Sequence, residues 1–233
     1  MKTVEIELRY AILNPAAIGL LQDRCSFQSE KRIVDQYLDT PSIDLLKRGI
    51  YIRVRDAKKV DIKFNRECLT NPLLDLQDSC EEYSYRLPLQ QESVSPCNEV
   101  LTLLDLNPLV STDFELFKKH NNLINHRVVD KIRKSYTTNG FTLVIDEVAN
   151  LGFFLEIELM ASPSERVEEV TQRMREYISS LSALNLQPLK TGYDSLILRK
   201  QNFTEYLQGR FILEEDKQYL QTIKKSVDQH AGY

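Results

Sequence analysis

The stretch FTLVIDEVANLGFFLEIELM, residues 141–160, alternates apolar with polar side chains on both sides of the turn sequence Asn150-Leu151-Gly152. A period of two residues predicts half-buried β-strands, here over 141–148 and 153–160. The Asn139-Gly140 pair just before the stretch predicts a two-residue hairpin to the strand that precedes it. Residues 127–160 are therefore predicted to form three consecutive antiparallel strands.

The same alternation recurs on either side of this stretch. Eight strands are predicted in all, at residues 4–10, 33–40, 49–55, 60–64, 81–89, 127–136, 141–148 and 153–160. Helical periods follow at 15–25, 99–106, 113–119 and 164–184, and 69–79 is predicted to be a loop. We expect an α+β fold of one domain, residues 1–200, with the strands closed into a barrel that is at least partly an antiparallel meander. Residues 201–233 are expected to form a polar, mostly helical tail that packs loosely on the barrel or serves a partner.

Composition limits the classes of partner. The 30 basic and 34 acidic residues give a net charge of -4, which argues against a sequence-blind nucleic-acid binder and requires any anion site to be local. The four cysteines show neither a CxxC motif nor a histidine at zinc spacing, and no apolar run resembles a signal peptide or a membrane span. We therefore expect a cytoplasmic protein with reduced thiols that binds neither nucleic acid nor membrane. The three histidines lie outside the predicted strands, which argues against a histidine-dependent mechanism.

The polar positions of the strands are almost purely ionic. Two arrangements explain this pattern: an apolar interior with a salt-bridged exterior, or a barrel whose apolar face is covered by helices and whose ionic face lines a channel. Like charges two residues apart favour the second, because they repel unless a ligand of opposite charge lies between them. Four such pairs occur, Glu5/Glu7, Arg53/Arg55, Lys131/Arg133 and Glu156/Glu158. Carboxylate pairs suit a hard cation such as Mg²⁺ or Mn²⁺, and Arg/Lys groups suit a chain of phosphates.

An ordered set of motifs resembles the CYTH superfamily, the triphosphate tunnel metalloenzymes. The set consists of EIELR (5–9), YLDTP (37–41), LLKRGIYIRVR (45–55), DIKF (61–64), EEY (81–83), KIRKSY (131–136), LVIDEVANLGFFLEIEL (143–159) and LKTGYDSLIL (189–198). The resemblance runs from residue 3 to about residue 200. It implies an eight-stranded antiparallel β-barrel that forms a triphosphate tunnel, with helices packed outside.

The resemblance also implies roles for particular residues. The metal ligands would be Glu5, Glu7, Glu156 and Glu158, with Asp146 beside them. The triphosphate oxygens would be bound by Arg9, Arg53, Arg55, Lys63, Lys131, Arg133 and Lys190, with Glu82 pointing into the tunnel. One position departs from the family pattern: the motif that begins at Glu5 ends in Arg9, where relatives have a lysine. Arginine keeps the charge but does not readily lose a proton, so Arg9 would not replace a lysine that acts as a base.

The leading functional hypothesis is metal-dependent hydrolysis of a triphosphate by in-line attack of water. The water would be activated by a second metal near Asp146 and Glu158, or by Lys63 paired with Tyr37, an arrangement that resembles the thiamine triphosphatase branch. The first alternative is the adenylate cyclase reaction of the same superfamily, and the second is a module that binds polyphosphate or nucleotide without turnover. The sequence leaves the physiological substrate and the choice between monomer and homodimer open.

Overall fold

The computed structural model describes residues 4–22, 24–71, 74, 80–138, 140–161 and 166–230, apart from the side chains of residues 4, 5, 22, 160, 161, 167 and 223–230. Its nine strands are β1 (Val4–Ile12), β2 (Ser26–Asp39), β3 (Tyr51–Arg55), β4 (Lys59–Phe64), β5 (Glu81–Arg86), β6 (Ile124–Thr138), β7 (Phe141–Val148), β8 (Gly152–Ala161) and β9 (Leu186–Pro188). The prediction of eight strands was one short, because β9 is only three residues long and shows no alternation. The α+β class is confirmed, and closure of the strands into a barrel stays a prediction.

Helices occupy much of the rest of the described chain. They are α1 (Gly19–Gln22), α2 (Asp44–Arg48), α3 (Arg66–Thr70), α4 (Gln91–Leu103), α5 (Phe114–His120), α6 (Val167–Ser179), α7 (Tyr193–Gln201), α8 (Phe203–Tyr206) and α9 (Glu214–His230). Short 3₁₀ helices cover Pro15–Ile18 and Ser182–Leu184. Within the part of the chain that the structure describes, no helix is both long and apolar enough to cross a membrane.

The chain divides into two compact units. Unit 1 comprises residues 1–34 and 129–190, and unit 2 comprises residues 35–128 and 191–233. The strands β2 and β6 each contribute residues to both units. The expected division into a domain of residues 1–200 and a tail of residues 201–233 stays a prediction.

In unit 1 the strand order is β2-β6-β7-β8-β1-β9. The β6–β7 pair ends at Thr138 opposite Phe141, so the predicted two-residue hairpin at 139–140 is confirmed, although Asn139 itself lies outside the described residues. The next turn is also confirmed: Asn150 and Gly152 both have positive φ there, a conformation that asparagine and glycine tolerate better than other residues. The apolar faces of β1, β7 and β8 pack against α6, whose Val170 and Met174 are buried in the same core.

In unit 2 the strand order is β5-β4-β3-β2-β6. The apolar face of β3 and β4 packs against α4 and α5 in a core that includes Ile52, Ile62, Leu101 and Phe117. In each unit, helices therefore cover the apolar face of the strands. This burial leaves the ionic positions on the opposite face of the strands in each unit, as the like-charge pairs indicated.

Candidate functional site

The ionic positions of unit 1 lie on β1, β6, β7 and β8. We call this set the first ionic face, and it consists of Glu7, Arg9, Lys131, Arg133, Asp146, Glu156 and Glu158. Strand register brings these residues together, because Arg9 is opposite Glu156, Glu7 is opposite Glu158 and Arg133 is opposite Asp146. Four carboxylates meet three cations on this face, so its net charge is -1.

Two arginines converge on the carboxylate of Glu156. Arg9 donates from Nε to Glu156 Oε1 at 2.8 Å, and Arg133 donates from Nη2 to Glu156 Oε2 at 2.5 Å. Arg9 also donates to Glu7 at 2.5 Å. Burial alone would raise the pKa of Glu156, but Arg9, Arg133 and Lys131 together hold it well below its usual range. Glu156 is therefore ionised at any physiological pH.

Asp146 is fully buried and holds two cations in place. Lys131 Nζ donates to Asp146 at 2.8 Å, and Arg133 makes a forked pair with the same carboxylate at 2.7 and 2.6 Å. A planar guanidinium held at both ends has little freedom to rotate. Burial and the neighbouring Arg133 lower the pKa of Lys131, and the carboxylates of Glu156 and Asp146 partly oppose this shift. With both oxygens engaged by Lys131 and Arg133, Asp146 is placed to orient the two cations.

The predicted metal ligands are brought together only in part. Glu7 and Glu158 are opposite each other on β1 and β8, and Glu156 lies two residues from Glu158 on the same face. Carboxylate oxygens, which Mg²⁺ and Mn²⁺ prefer as ligands, are therefore grouped at one edge of the first ionic face. Among the described residues, no three histidine, cysteine, aspartate or glutamate side chains form a group that could hold a metal ion. The side chain of Glu5, which belongs to the predicted set, lies outside the described residues. The oxygen donors of Glu7 and Glu158 are of the type that a hard cation takes, but the described residues alone do not complete a metal site.

Unit 2 carries a second ionic face on β2 to β5. It consists of Asp35, Tyr37, Arg53, Arg55, Lys59, Asp61, Lys63, Glu82 and Ser84. Register places Tyr37, Arg53, Asp61 and Ser84 in one row across the four strands. Four cations meet three carboxylates on this face, so its net charge is +1 and it favours an anionic ligand.

Buried aspartates hold the two arginines of the second ionic face. Arg55 makes a forked pair with Asp35 at 2.6 and 2.8 Å. Arg53 donates from Nε to Asp61 at 2.9 Å and from Nη2 to Glu82 at 3.2 Å. Burial opposes the charge of Arg53, but Tyr37 and the surrounding carboxylates raise its pKa above the ordinary value. Both guanidinium groups are therefore fixed in direction, and that of Arg53 stays charged.

Lys63 paired with Tyr37 was one of the two predicted ways of activating the water, and register places one strand, β3, between them. Tyr37 lies opposite Arg53, whereas Lys63 lies on β4 opposite Tyr51 of β3 and Glu82 of β5. Two strand spacings amount to about 10 Å. Burial raises the pKa of Tyr37 to about 12, so its hydroxyl stays protonated at neutral pH and can donate a hydrogen bond but not act as a base.

Lys190 is the last predicted phosphate ligand. It is exposed and lies at the end of unit 1, directly after Leu189, whose backbone N–H donates to the Arg9 carbonyl. This bond extends the β1–β9 pairing by one residue and fixes the backbone beside Lys190.

A third group of charges, in unit 2, was missed by the sequence analysis. Arg127 on β6 is buried with Nη2 at 3.7 Å from Asp39 and 3.6 Å from Asp194. Burial raises the pKa of both aspartates, and Arg127 opposes the shift in each. The one sequence signal for this group was that Asp39 has the same position in the alternation of β2 as Asp35 and Tyr37. Arg127 was predicted to be the first residue of a strand, and Asp194 was predicted to lie outside the strands.

The class of this protein is defined by its strand order, together with the two ionic faces and the spacing of their residues. The CYTH domain family matches residues 3–193, and the chain belongs to that family. No curated protein matches the chain significantly.

Solved structures share the fold. PH1819 of Pyrococcus horikoshii superposes with a TM-score of 0.56 at 20% identity, covering 84% of this chain and 99% of that protein. HpAC1 of Hippeastrum, named as an adenylyl cyclase and described as having a dominant triphosphatase activity, gives 0.52 at 19% identity over 86% and 96% of the two chains. A Vibrio parahaemolyticus protein named as an adenylate cyclase gives 0.50 at 17% identity over 84% and 99%.

Proposed function

We propose that this chain binds a triphosphate and hydrolyses it with the help of Mg²⁺ or Mn²⁺. The observation that carries the proposal is the orientation of the cations on both ionic faces by buried carboxylates, as in the Arg55–Asp35 and Arg133–Asp146 forked pairs. A set of fixed charges stabilises the charge that develops during phosphoryl transfer without having to reorganise at the moment of reaction.

The phosphate ligands in this proposal are the basic residues that the family resemblance implies. Arginine gives forked hydrogen bonds to phosphate oxygens, and lysine contributes a point charge. The proposed set is Arg9, Arg53, Arg55, Lys63, Lys131, Arg133 and Lys190, with Glu82 at its border. Tyr37 joins this set as a hydrogen-bond donor, because its hydroxyl is protonated at neutral pH.

The divalent metal would be held by Glu7 and Glu158, with Glu156 beside them and Glu5 completing the set. A metal bound there supplies Lewis-acid stabilisation of phosphate oxygens. We place Asp146 among the residues that orient cations, since Lys131 and Arg133 already engage both of its oxygens. Arg9 joins Glu7 to Glu156 and stays protonated, so its contribution in this proposal is electrostatic.

The adenylate cyclase reaction is the second candidate. HpAC1, which shares the fold, is named for both a cyclase and a triphosphatase activity. Both reactions require the same cationic groups and the same metal, and they differ in the attacking group and the phosphorus atom attacked. A module that binds without turnover is the third candidate.

One experiment separates the three candidates. The purified protein is incubated with Mg²⁺ or Mn²⁺ and, separately, with tripolyphosphate, thiamine triphosphate or ATP, and products are resolved by phosphorus NMR. We expect orthophosphate release from at least one substrate. Pyrophosphate together with cyclic AMP would instead establish cyclisation, and binding without any product would leave the binding module.

Glu7→Gln tests the metal assignment. Loss of one ligand charge should lower metal-dependent turnover by about a hundredfold, within the range that electrostatic groups contribute to catalysis, while the far-UV circular dichroism is unchanged. Glu147→Gln is the matched control, because Glu147 is an exposed glutamate of the same unit outside the ionic face. Equal turnover in the two variants would refute a metal at Glu7.

A further inference from the structure

Arg53 is surrounded by carboxylates that differ in how firmly they are held. Its guanidinium contacts Asp61 at 2.9 Å and Glu82 at 3.2 Å, and Asp35 lies 4.0 Å from Nη1. The side chain of Asp61 is 1% exposed, whereas that of Glu82 is 38% exposed. One arginine therefore has a buried acidic partner on Nε and a solvent-accessible one on Nη2.

Asp61 is fixed by a network of its own. Its second oxygen accepts a hydrogen bond from Ser84 Oγ at 2.6 Å and from Lys59 Nζ at 2.9 Å, so both oxygens are occupied. Burial alone would raise the pKa of this carboxyl, but Ser84, Arg53 and Lys59 together hold it below its usual value. A carboxylate with three donors and no solvent contact stays in place when a ligand arrives.

Glu82 has the opposite character. It lies on β5 with more than a third of its side chain in water, and its contact with Arg53 is longer than the Arg53–Asp61 bond. Exposed ion pairs contribute little to stability and are easily exchanged. Glu82 occupies Nη2 of Arg53, and a phosphate oxygen that binds there has to displace it, because Nε is committed to Asp61.

We propose that Asp61 is a positioning residue that aims Arg53 at the substrate, and that Glu82 is an internal competitor that a phosphate group displaces from Arg53. This inference rests on the proposed function, since it assigns Asp61 to orient a phosphate ligand and Glu82 to compete with the phosphate for that ligand. The two acidic neighbours of one arginine then have opposite effects on anion binding. Glu82 also sets a minimum negative charge for the ligand, because only a sufficiently charged ligand displaces it from Arg53.

A pair of matched variants tests the proposal. Asp61→Asn and Glu82→Gln each remove one negative charge from the same face beside the same arginine. If only net charge mattered, both variants would bind tripolyphosphate more tightly. Under the proposal Glu82→Gln tightens binding about threefold to tenfold, whereas Asp61→Asn weakens it about tenfold, the scale of one charge-assisted hydrogen bond.

Affinity is measured by isothermal titration calorimetry with tripolyphosphate in metal-chelated buffer, where turnover does not intervene. Circular dichroism and thermal melting establish that each variant is folded. If Asp61→Asn does not fold, Ser84→Ala takes its place, because it removes one bond to Asp61 and keeps the charge. It should weaken binding about twofold to threefold, the scale of one neutral hydrogen bond.

Opposite shifts in the two variants support the proposal. Shifts in the same direction, or an unchanged affinity in a folded Asp61→Asn or Ser84→Ala protein, overturn it. Absence of tripolyphosphate binding by the wild-type protein both in chelated buffer and with Mg²⁺ or Mn²⁺ would instead refute the proposed function itself, so the two failures are distinguishable.

Discussion

Lys131 is a buried cation among charged neighbours, and its protonation makes the first ionic face sensitive to alkaline pH. Burial and Arg133 lower its pKa from the ordinary value of 10.5, so among the lysines of the protein it loses its proton early as pH rises. The arginines beside it remain charged. We therefore expect tripolyphosphate affinity to fall by about tenfold as Lys131 is deprotonated, the scale of one charge-assisted contact.

The measurement is the dissociation constant of tripolyphosphate from pH 7 to pH 10.5 without metal. Lys131→Arg should keep its affinity to higher pH, because arginine does not deprotonate in this range. Lys134→Arg is the control, since Lys134 lies on β6 but points away from the ionic face and pairs with Glu30 at 3.3 Å. A wild-type affinity that is constant up to pH 10.5 would contradict the assignment of Lys131 as a phosphate ligand.

At the scale of residues, alternation in the sequence predicted which side chains share a face but not which charges pair. Arg53 and Arg55 were predicted to face phosphate from their like-charge spacing together with the family resemblance. Their partners Asp61 and Asp35 were left out of the predicted site because each pairing depends on cross-strand register, which a single strand does not determine.

At the scale of elements, Asp39 links the end of β2 to the start of α2. Its carboxylate accepts the backbone N–H groups of Thr40, Leu45 and Leu46 at 2.9, 2.9 and 3.1 Å, and it is fully buried. The first N–H groups of a helix have no partner within the helix, so an external acceptor is needed when they are buried. The aspartate of the YLDTP motif therefore builds the turn that ends one strand and begins the next helix.

Asp39→Ala should lower the free energy of unfolding by about 3 kcal/mol or more, because three backbone donors and the guanidinium of Arg127 lose their acceptor. Urea unfolding monitored by circular dichroism measures the change. Asp44→Ala is the control in the same turn: Asp44 is exposed in the first turn of α2, and its loss should cost about 1 kcal/mol or less. Similar losses in the two variants would mean that the hydrogen bonds of Asp39 do not determine the stability of this turn.

Element boundaries were predicted less well than element types. The strands β2 and β6 extend to Ser26 and Ile124, well before the predicted starts at 33 and 127, because their outer ends are exposed and lack clean alternation. For the same reason His126 lies within β6, although the histidines were expected to lie outside strands. The helix expected at 99–106 in fact covers Gln91–Leu103, with Pro96 in its interior. Proline removes one backbone donor and usually marks a helix start or end, so the helix was not predicted to continue through Pro96.

At the scale of the whole molecule, the C-terminal segment was predicted to be helical and loosely packed. The helices α8 and α9 confirm the first part, but residues 203–216 are not loose. Tyr206 and Phe211 are 1% and 2% exposed, and Asp216 makes a forked pair with Arg199 of α7 at 2.8 and 2.9 Å. The prediction of loose packing was based on the small number of apolar residues in this segment. It did not include the buried hydrogen bonds that attach the segment to unit 2.

Tyr206 makes the central contacts that attach the C-terminal segment to unit 2, so its substitution tests this packing. Its ring packs with Ile43, Leu46 and Leu198, and its hydroxyl accepts the Leu213 N–H at 2.7 Å and donates to Asp216 at 2.9 Å. Tyr206→Ala should therefore lower the free energy of unfolding by about 3–5 kcal/mol, as for other buried aromatic residues. In urea unfolding, Tyr219→Ala should change it by no more than about 0.5 kcal/mol, because Tyr219 lies in α9 with 52% of its surface exposed. A decrease in the free energy of unfolding below about 1 kcal/mol in Tyr206→Ala would show that the C-terminal segment contributes little to the fold. The expected decrease would show that the segment is part of the fold that carries the second ionic face.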